Sequence, residues 1–75
     1  MTPKLPRVTA KEALSALMKA GYVKVRQSGS HQILRNSAGV RITLPVHTGK
    51  VLHPAILRTI LRDTGLTIEA FTSLL

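Results

Sequence analysis

His31 stands between two arginines in the segment VRQSGSHQILR, directly after a Ser-Gly-Ser turn signal. Histidine is the side chain whose charge changes near neutral pH, so it can accept or donate a proton in a reaction. The neighbouring cations, Arg26 and Arg35, could bind a phosphate group. These residue types at this spacing are suited to chemistry on a phosphodiester.

Cleavage of RNA by its own 2′-hydroxyl needs groups of this kind. It requires a proton acceptor near the hydroxyl, a proton donor near the leaving oxygen, and cations or N–H groups for the charge that grows on the phosphate. We therefore take His31 as a candidate catalytic residue. The candidate phosphate-binding residues are Lys24, Arg26, Gly29, Ser30, Arg35, Arg41, His47 and Lys50. Gly29 and Ser30 would act through the backbone N–H groups of the turn.

The sequence offers few of the residues that other catalytic chemistries would need. The chain has no cysteine, and its histidines and carboxylates are His31, His47, His53, Glu12, Asp63 and Glu69. The histidines lack the i, i+4 spacing of a helical zinc site. The carboxylates fall on separate predicted helices, which disfavours a carboxylate pair, and a serine triad would need an orienting acid that the sequence does not place. We expect neither a metal ion nor another cofactor.

The composition is that of a small basic domain. The chain has 75 residues, of which 44% are hydrophobic, and a formal net charge of +8. A positive potential of this size attracts polyanions, nucleic acid first and an anionic membrane second. A merely basic surface is the alternative interpretation.

The N-terminal segment MTPKLPRV combines two prolines with two cations, which is not typical of a signal peptide. No segment approaches the roughly 20 apolar residues that span a bilayer. We expect a flexible arm over residues 1–8, a single domain over residues 9–75, and a cytoplasmic location without membrane partners.

The first predicted element is a helix over residues 10–20. Thr9 and Glu12 have the spacing of a capping box, in which each side chain accepts from the other residue's backbone N–H. Gly21 follows as a left-handed stop. The predicted apolar stripe of this helix consists of Leu14, Leu17 and Met18.

Three strands and two further helices follow. Alternating patterns predict strands over residues 22–27, 31–36 and 40–44, separated by the turn signals SGS and NSAG. Pro54 marks the start of a second helix and Gly65 its end, and Thr67 caps a short terminal helix. Strands grouped together with helices at both ends predict an α+β fold, in which the helices cover one face of a three-stranded antiparallel sheet.

The period of two along each strand assigns side chains to the two faces of this sheet. The residues expected to face the helices are Val23, Val25, Val40, Ile42 and Leu44. Tyr22, Lys24, Arg26 and Arg41 would then face solvent.

The middle strand can be oriented in two ways. With Leu34 inward, His31, Ile33 and Arg35 face solvent, whereas with Ile33 inward His31 would be buried. We favour the first orientation because a buried arginine and histidine are costly without partners.

The segments GYVKVRQSGSHQIL, ITLPVHTGKVL and ILRTILRDTGLTIEAFTSLL resemble, in order and spacing, the HicA-type toxins, small messenger-RNA interferases of bacterial toxin–antitoxin pairs. The resemblance runs from about Lys11 to Leu75. Its signature consists of four parts in chain order. These are a glycine followed by an aromatic residue at the start of the first strand, an arginine, the sequence Gly-Ser-His and the sequence Pro-x-His. The segment HPAIL departs from the family, which usually has a Gly-Thr pair at the start of the second helix.

This resemblance implies an α-β-β-β-α fold like that of the double-stranded RNA-binding domain. It also implies that His31 is the catalytic residue of a metal-independent ribonuclease acting on messenger RNA. A cognate HicB-type antitoxin would block the RNA-binding surface, and an acidic partner would suit a protein of this charge.

Two hypotheses without catalysis stay open. A non-catalytic RNA-binding domain could block translation by occupying the message. A DNA-binding regulator is a weaker fit, because no predicted helix concentrates the cations as a recognition helix would. In both, His31 is an ordinary solvated strand residue.

Overall fold

The computed structural model describes residues 4–47 and 49–75. Its elements are α1 (Ala10–Lys19), β1 (Val23–Ser28), β2 (His31–Arg35), β3 (Arg41–Pro45), α2 (Pro54–Thr64) and α3 (Ile68–Ser73). The strands form one antiparallel sheet in the order β1-β2-β3. This arrangement confirms the predicted α+β fold, including the short terminal helix, α3, that follows the α-β-β-β-α order.

α1 begins at the predicted capping box. The Thr9 hydroxyl accepts from the Glu12 backbone N–H at 3.2 Å, and the Glu12 carboxylate accepts from the Thr9 backbone N–H at 3.0 Å. The bonds that Thr9 donates, from its backbone first and its side chain second, lower the pKa of Glu12 because they stabilise the charged carboxylate. The box fixes where the helix starts.

The buried side of α1 differs from the predicted stripe. Its buried residues are Ala10, Ala13, Ala16 and Leu17, whereas Met18 is 53% exposed. The predicted stripe consists only of large side chains, whereas most of the buried residues are alanines. The small alanine side chains allow α1 to pack closely against the rest of the core. Met18 lies away from this alanine side of the helix and is therefore directed toward solvent. The inward assignment of Met18 is therefore wrong.

The core lies between the helices and one face of the sheet. Its largest fully buried side chains are Leu17, Leu34, Leu44, Leu57, Ile60 and Phe71. Leu34 comes from β2, the central strand, so the favoured orientation of that strand is confirmed. Each fully buried side chain of this kind contributes about 1.5–3 kcal/mol relative to an exposed one.

α2 begins at a histidine cap. The Nδ1 atom of His53 accepts from the Ala55 backbone N–H at 3.0 Å, while Pro54 takes the first helical position, as predicted. The C-terminal end is also as predicted, since Gly65 has a φ of 74° and its N–H donates to the Leu61 carbonyl. α3 starts at Thr67, whose hydroxyl accepts from the Ala70 N–H at 3.0 Å.

The folded unit reaches further toward the N-terminus than predicted. Val8 is 2% exposed, and its carbonyl accepts from the Leu52 N–H at 2.7 Å. Thr9 forms an antiparallel bridge with Val51. The expectation of a flexible arm over residues 1–8 does not hold for Val8, because this apolar side chain completes the core. Residues 1–3 of that arm lie outside the described residues.

Candidate nucleic-acid interface

A two-residue turn places His31 at the start of β2. Gly29 has a φ of 59°, and two-residue hairpin turns require a positive φ of this kind, which glycine adopts without strain. Ser28 and His31 are the cross-strand partners on either side of the turn. The predicted turn is confirmed, and its positive φ explains why glycine occupies position 29.

The backbone of this turn presents unpaired donors. The Gly29 carbonyl accepts from Gln27 Nε2 at 3.2 Å, and the Ser30 carbonyl accepts from the Val46 N–H at 2.7 Å. The N–H groups of Gly29 and Ser30 donate no hydrogen bond to any residue that the structure describes. They are available to an anion beside His31.

We call the face of the sheet that points away from the helices the open face. The register of the strands arranges its side chains in rows that run across the three strands. Directly paired residues on neighbouring strands project from the same face. The rows are Ser28, His31 and Pro45; then Arg26, Ile33 and Thr43; then Val23, Arg35 and Arg41. Successive rows are about 7 Å apart, because every second residue returns to the same face. His31 is exposed, so its predicted orientation is confirmed.

A β-bulge in β1 changes the predicted orientation of that strand. The register shifts between Lys24 and Arg26, so Val25 has no partner on β2. An inserted residue alters which side chains share a face. Lys24 pairs with Leu34, whose side chain faces the helices, whereas Arg26 pairs with Ile33 of the open face. The expectation that Lys24 shares the open face with Arg26 is therefore wrong.

The inward assignment of the β1 valines is also wrong. Val23 is 57% and Val25 is 50% exposed, whereas Tyr22, assigned to the solvent side, is 4% exposed. The alternation of β1 is compatible with either face. The aromatic side chain just before the strand belongs to the core instead, and β1 is exposed along its length.

Arg26, Arg35 and Arg41 give the open face its charge. All three are exposed, and Arg35 and Arg41 are direct cross-strand partners. Like charges directly opposite one another destabilise a sheet. No carboxylate among the described residues forms an ion pair with either arginine. A bound anion between them would remove this repulsion.

Beyond β3, the open face continues into a cleft of about 500 Å³ between the sheet and α2. The sheet side of the cleft includes His31, Arg41, Thr43 and Pro45, and the helix side includes Ala55, Ile56, Thr59 and Asp63. This cleft could not be predicted from the sequence, because it depends on the packing of α2 beside β3. The i, i+4 spacing of Ala55, Thr59 and Asp63 on one side of the helix was the available signal.

His47 and Lys50 lie in the connection between β3 and α2, and neither lines the cleft that contains His31. His47 lines a different cavity, of about 460 Å³, together with Lys11 and Gln32. Gln32 pairs with Leu44, so this cavity lies on the helix-covered side of the sheet. Lys50 is exposed, and its N–H donates to the His47 carbonyl at 3.2 Å. Their role in phosphate binding stays a prediction.

Neither a metal centre nor a spanning helix is found within residues 4–47 and 49–75. No group of three or more His, Cys, Asp or Glu side chains in these ranges is placed to hold a metal ion. No helix there has the length and apolar character needed to cross a membrane.

Fold and surface together define a class: a small basic α+β domain whose open sheet face presents a histidine and a group of arginines. The family model for the HicA toxin of bacterial toxin–antitoxin pairs matches residues 10–66 of this 75-residue chain. The chain therefore belongs to the HicA toxin family. Members of this family are ribonuclease-type toxins, and membership of a toxin–antitoxin family implies that the chain has an antitoxin partner. A comparison with curated proteins found no match.

Proposed function

We propose that this protein is a metal-independent ribonuclease that cleaves messenger RNA in the cytoplasm, with His31 as its proton-transfer residue. The observation that carries the proposal is the exposure of His31 on the same sheet face as Arg26, Arg35 and Arg41. A polynucleotide can reach this imidazole while its phosphates contact the guanidinium groups.

In the proposed reaction, His31 accepts the proton of a ribose 2′-hydroxyl. The 2′-oxygen then bonds to the adjacent phosphorus, and the bond from phosphorus to the 5′-oxygen of the next nucleotide breaks. The leaving oxygen takes a proton from water. The products are a 2′,3′-cyclic phosphate and a 5′-hydroxyl end. General-base catalysis of this kind contributes about 10²–10⁴-fold to the rate.

The turn before His31 supplies donors for the charge that develops during this reaction. The unpaired N–H groups of Gly29 and Ser30 lie next to His31 in the chain, and N–H groups fixed in place stabilise oxyanions without reorganisation. Gly29 lacks a side chain, and a Cβ there would meet nothing within 4 Å, so its approach to a phosphate is open.

The arginines hold the substrate in this account. The direct pairing of Arg35 with Arg41 favours a phosphate that bridges them, since an anion offsets their repulsion. Arg26 belongs to the row between this pair and His31. Lys24 lies on the other face and is not part of the proposed site.

We infer that an acidic antitoxin of the HicB type binds the same open face. A negative surface would be attracted to the arginines there and would exclude RNA from His31. The prediction is that the antitoxin and a short RNA compete for the protein, as measured by displacement of labelled RNA. Simultaneous binding of both would contradict this inference.

The reaction is tested with purified protein and a short RNA in the presence of a metal chelator. We expect cleavage that leaves a 2′,3′-cyclic phosphate, and no cleavage at a position where the 2′-hydroxyl is replaced by hydrogen. Cleavage of the 2′-deoxy position at the normal rate would contradict the proposal.

The non-catalytic alternative predicts a different pattern in cells. If the protein acts by occupying RNA, His31→Ala retains growth arrest and charge reversal at Arg26 removes it. If it acts by cleavage, His31→Ala is by itself sufficient to remove growth arrest. His53→Asn is the matched control, because it also removes an imidazole but keeps a side chain that can cap α2.

A further inference from the structure

The cleft between β3 and α2 has hydrogen-bonding groups of opposite kinds on its two sides. On the sheet side, the Arg41 guanidinium can only donate hydrogen bonds. On the helix side, Thr59 and Asp63 are one turn apart, so their side chains lie on the same side of α2. A ligand bound here meets donors from the sheet and acceptors from the helix.

The helix side offers acceptors because of the contacts that Thr59 and Asp63 already make. The Thr59 hydroxyl donates its proton to the Ala55 carbonyl at 3.0 Å, so it can only accept from a ligand. The Asp63 carboxylate lies 3.7 Å from Arg62 Nε, and its side chain is 45% exposed. That separation exceeds a hydrogen bond, so both carboxylate oxygens keep their capacity to accept.

The cleft also has the size and apolar surface that a planar ring requires. Its volume of about 500 Å³ falls within the range of about 300–1,000 Å³ that is typical of small-molecule sites. Ile56 and Pro45 contribute apolar surface to it. His31 also lines the cleft, so a nucleotide bound there belongs to the same RNA strand that reaches the imidazole.

We propose that this cleft binds an RNA base next to the cleaved bond and selects guanine, with Asp63 as the specificity-determining residue. Guanine is the base whose pairing edge carries two adjacent donors, N1–H and the 2-amino group, which match the two oxygens of a carboxylate. Single-stranded RNA is recognised through such edges. The proposal rests on the proposed ribonuclease function and adds to it the base at which the strand is held.

The test compares a normal transcript with one in which inosine replaces guanosine, using the full chain and mapping all cut sites. Inosine lacks only the 2-amino group. Wild-type protein should cut at sites that share a guanine at one fixed position. Those sites should be cut roughly tenfold to hundredfold more slowly in the inosine transcript, which corresponds to the loss of one hydrogen bond to a charged group.

Asp63→Asn should remove the difference between the two transcripts, because an amide cannot accept from both donors. Glu69→Gln is the matched control, since it removes the same charge from an exposed carboxylate outside the cleft, and it should keep the preference. A role for Asp63 in positioning His31 would instead slow all sites equally and leave the site pattern unchanged.

The outcomes separate the two proposals. If wild-type protein cleaves RNA but the cut sites share no guanine, or if Asp63→Asn keeps the guanosine preference, the subsite assignment is overturned while the ribonuclease proposal stands. If wild-type protein cleaves no RNA, the ribonuclease proposal fails and the subsite assignment fails with it.

Discussion

Arg26 and Lys24 are two cations on the same strand, and they provide a matched pair for testing the open face as an RNA-binding surface. The bulge at Val25 puts Arg26 beside Ile33 on the open face and Lys24 beside Leu34 on the other. Replacing Arg26 with alanine should therefore remove a phosphate contact. Replacing Lys24 with alanine should not.

The size of the effect follows from counterion release. For single-stranded nucleic acid, the slope of log K against log salt is about −0.7 for each phosphate contacted. Three arginines on the open face then give a slope of about −2 from this face. Arg26→Ala should make the slope less negative by about 0.7. A fourfold rise in salt concentration should therefore weaken RNA binding by the variant about 2.6-fold less than it weakens RNA binding by the parent protein.

The assay is fluorescence anisotropy of a labelled RNA at several salt concentrations. All proteins carry His31→Ala, so the RNA stays intact during the titration. We expect Lys24→Ala to match the parent slope. An equal change of slope in Lys24→Ala and Arg26→Ala would refute the argument from strand register, and an unchanged slope in Arg26→Ala would refute the assignment of this face.

The remaining predictions concern the scaffold. Leu34→Ala should lower the free energy of unfolding by about 2–5 kcal/mol in urea titrations, because it empties a fully buried position; a loss below this range would show that the site is less tightly packed than described. Folding lowers the pKa of Glu12, so the stability that its carboxylate contributes is present above the pKa of the unfolded chain and is lost as pH falls through the pKa of the folded chain. Glu12→Gln should flatten this part of the curve of thermal stability against pH, and an unchanged curve would contradict the role of the capping box. His53→Ala should destabilise the protein by about 1 kcal/mol through loss of the α2 cap, whereas His53→Asn should retain most of the stability; equal losses in both would show that the cap is not what His53 provides.

Most of the fold could be predicted because its local signals agree with one another. The capping box at Thr9 and Glu12, the turn at Gly29 and the helix end at Gly65 each determine a boundary through backbone chemistry. These signals depend on a few neighbouring residues. They therefore hold in the folded protein without knowledge of the tertiary packing.

The orientation of β1 could not be predicted, because it depends on non-local packing. A bulge has no signal in the alternation of Val23, Lys24, Val25 and Arg26. It becomes visible only in the pairing with β2. The same limit applies to Tyr22, whose burial in the core depends on tertiary packing.

The candidate site was accessible to sequence analysis only in part. The sequence predicts His31 and Arg35 on the open face, because burying an arginine and a histidine without partners is costly. The cleft that adds Thr59 and Asp63 joins residues of β2, β3 and α2. No local pattern places those elements side by side.

The central claim is that the imidazole of His31 transfers the proton in RNA cleavage. Its most direct test is the single-turnover rate at which one RNA is cut by the wild-type protein, by His31→Ala and by His53→Asn, with circular dichroism to verify that each is folded. We expect folded His31→Ala to lose at least about 100-fold in rate, whereas His53→Asn should cut at close to the wild-type rate. A folded His31→Ala protein that still cuts near the wild-type rate would contradict it.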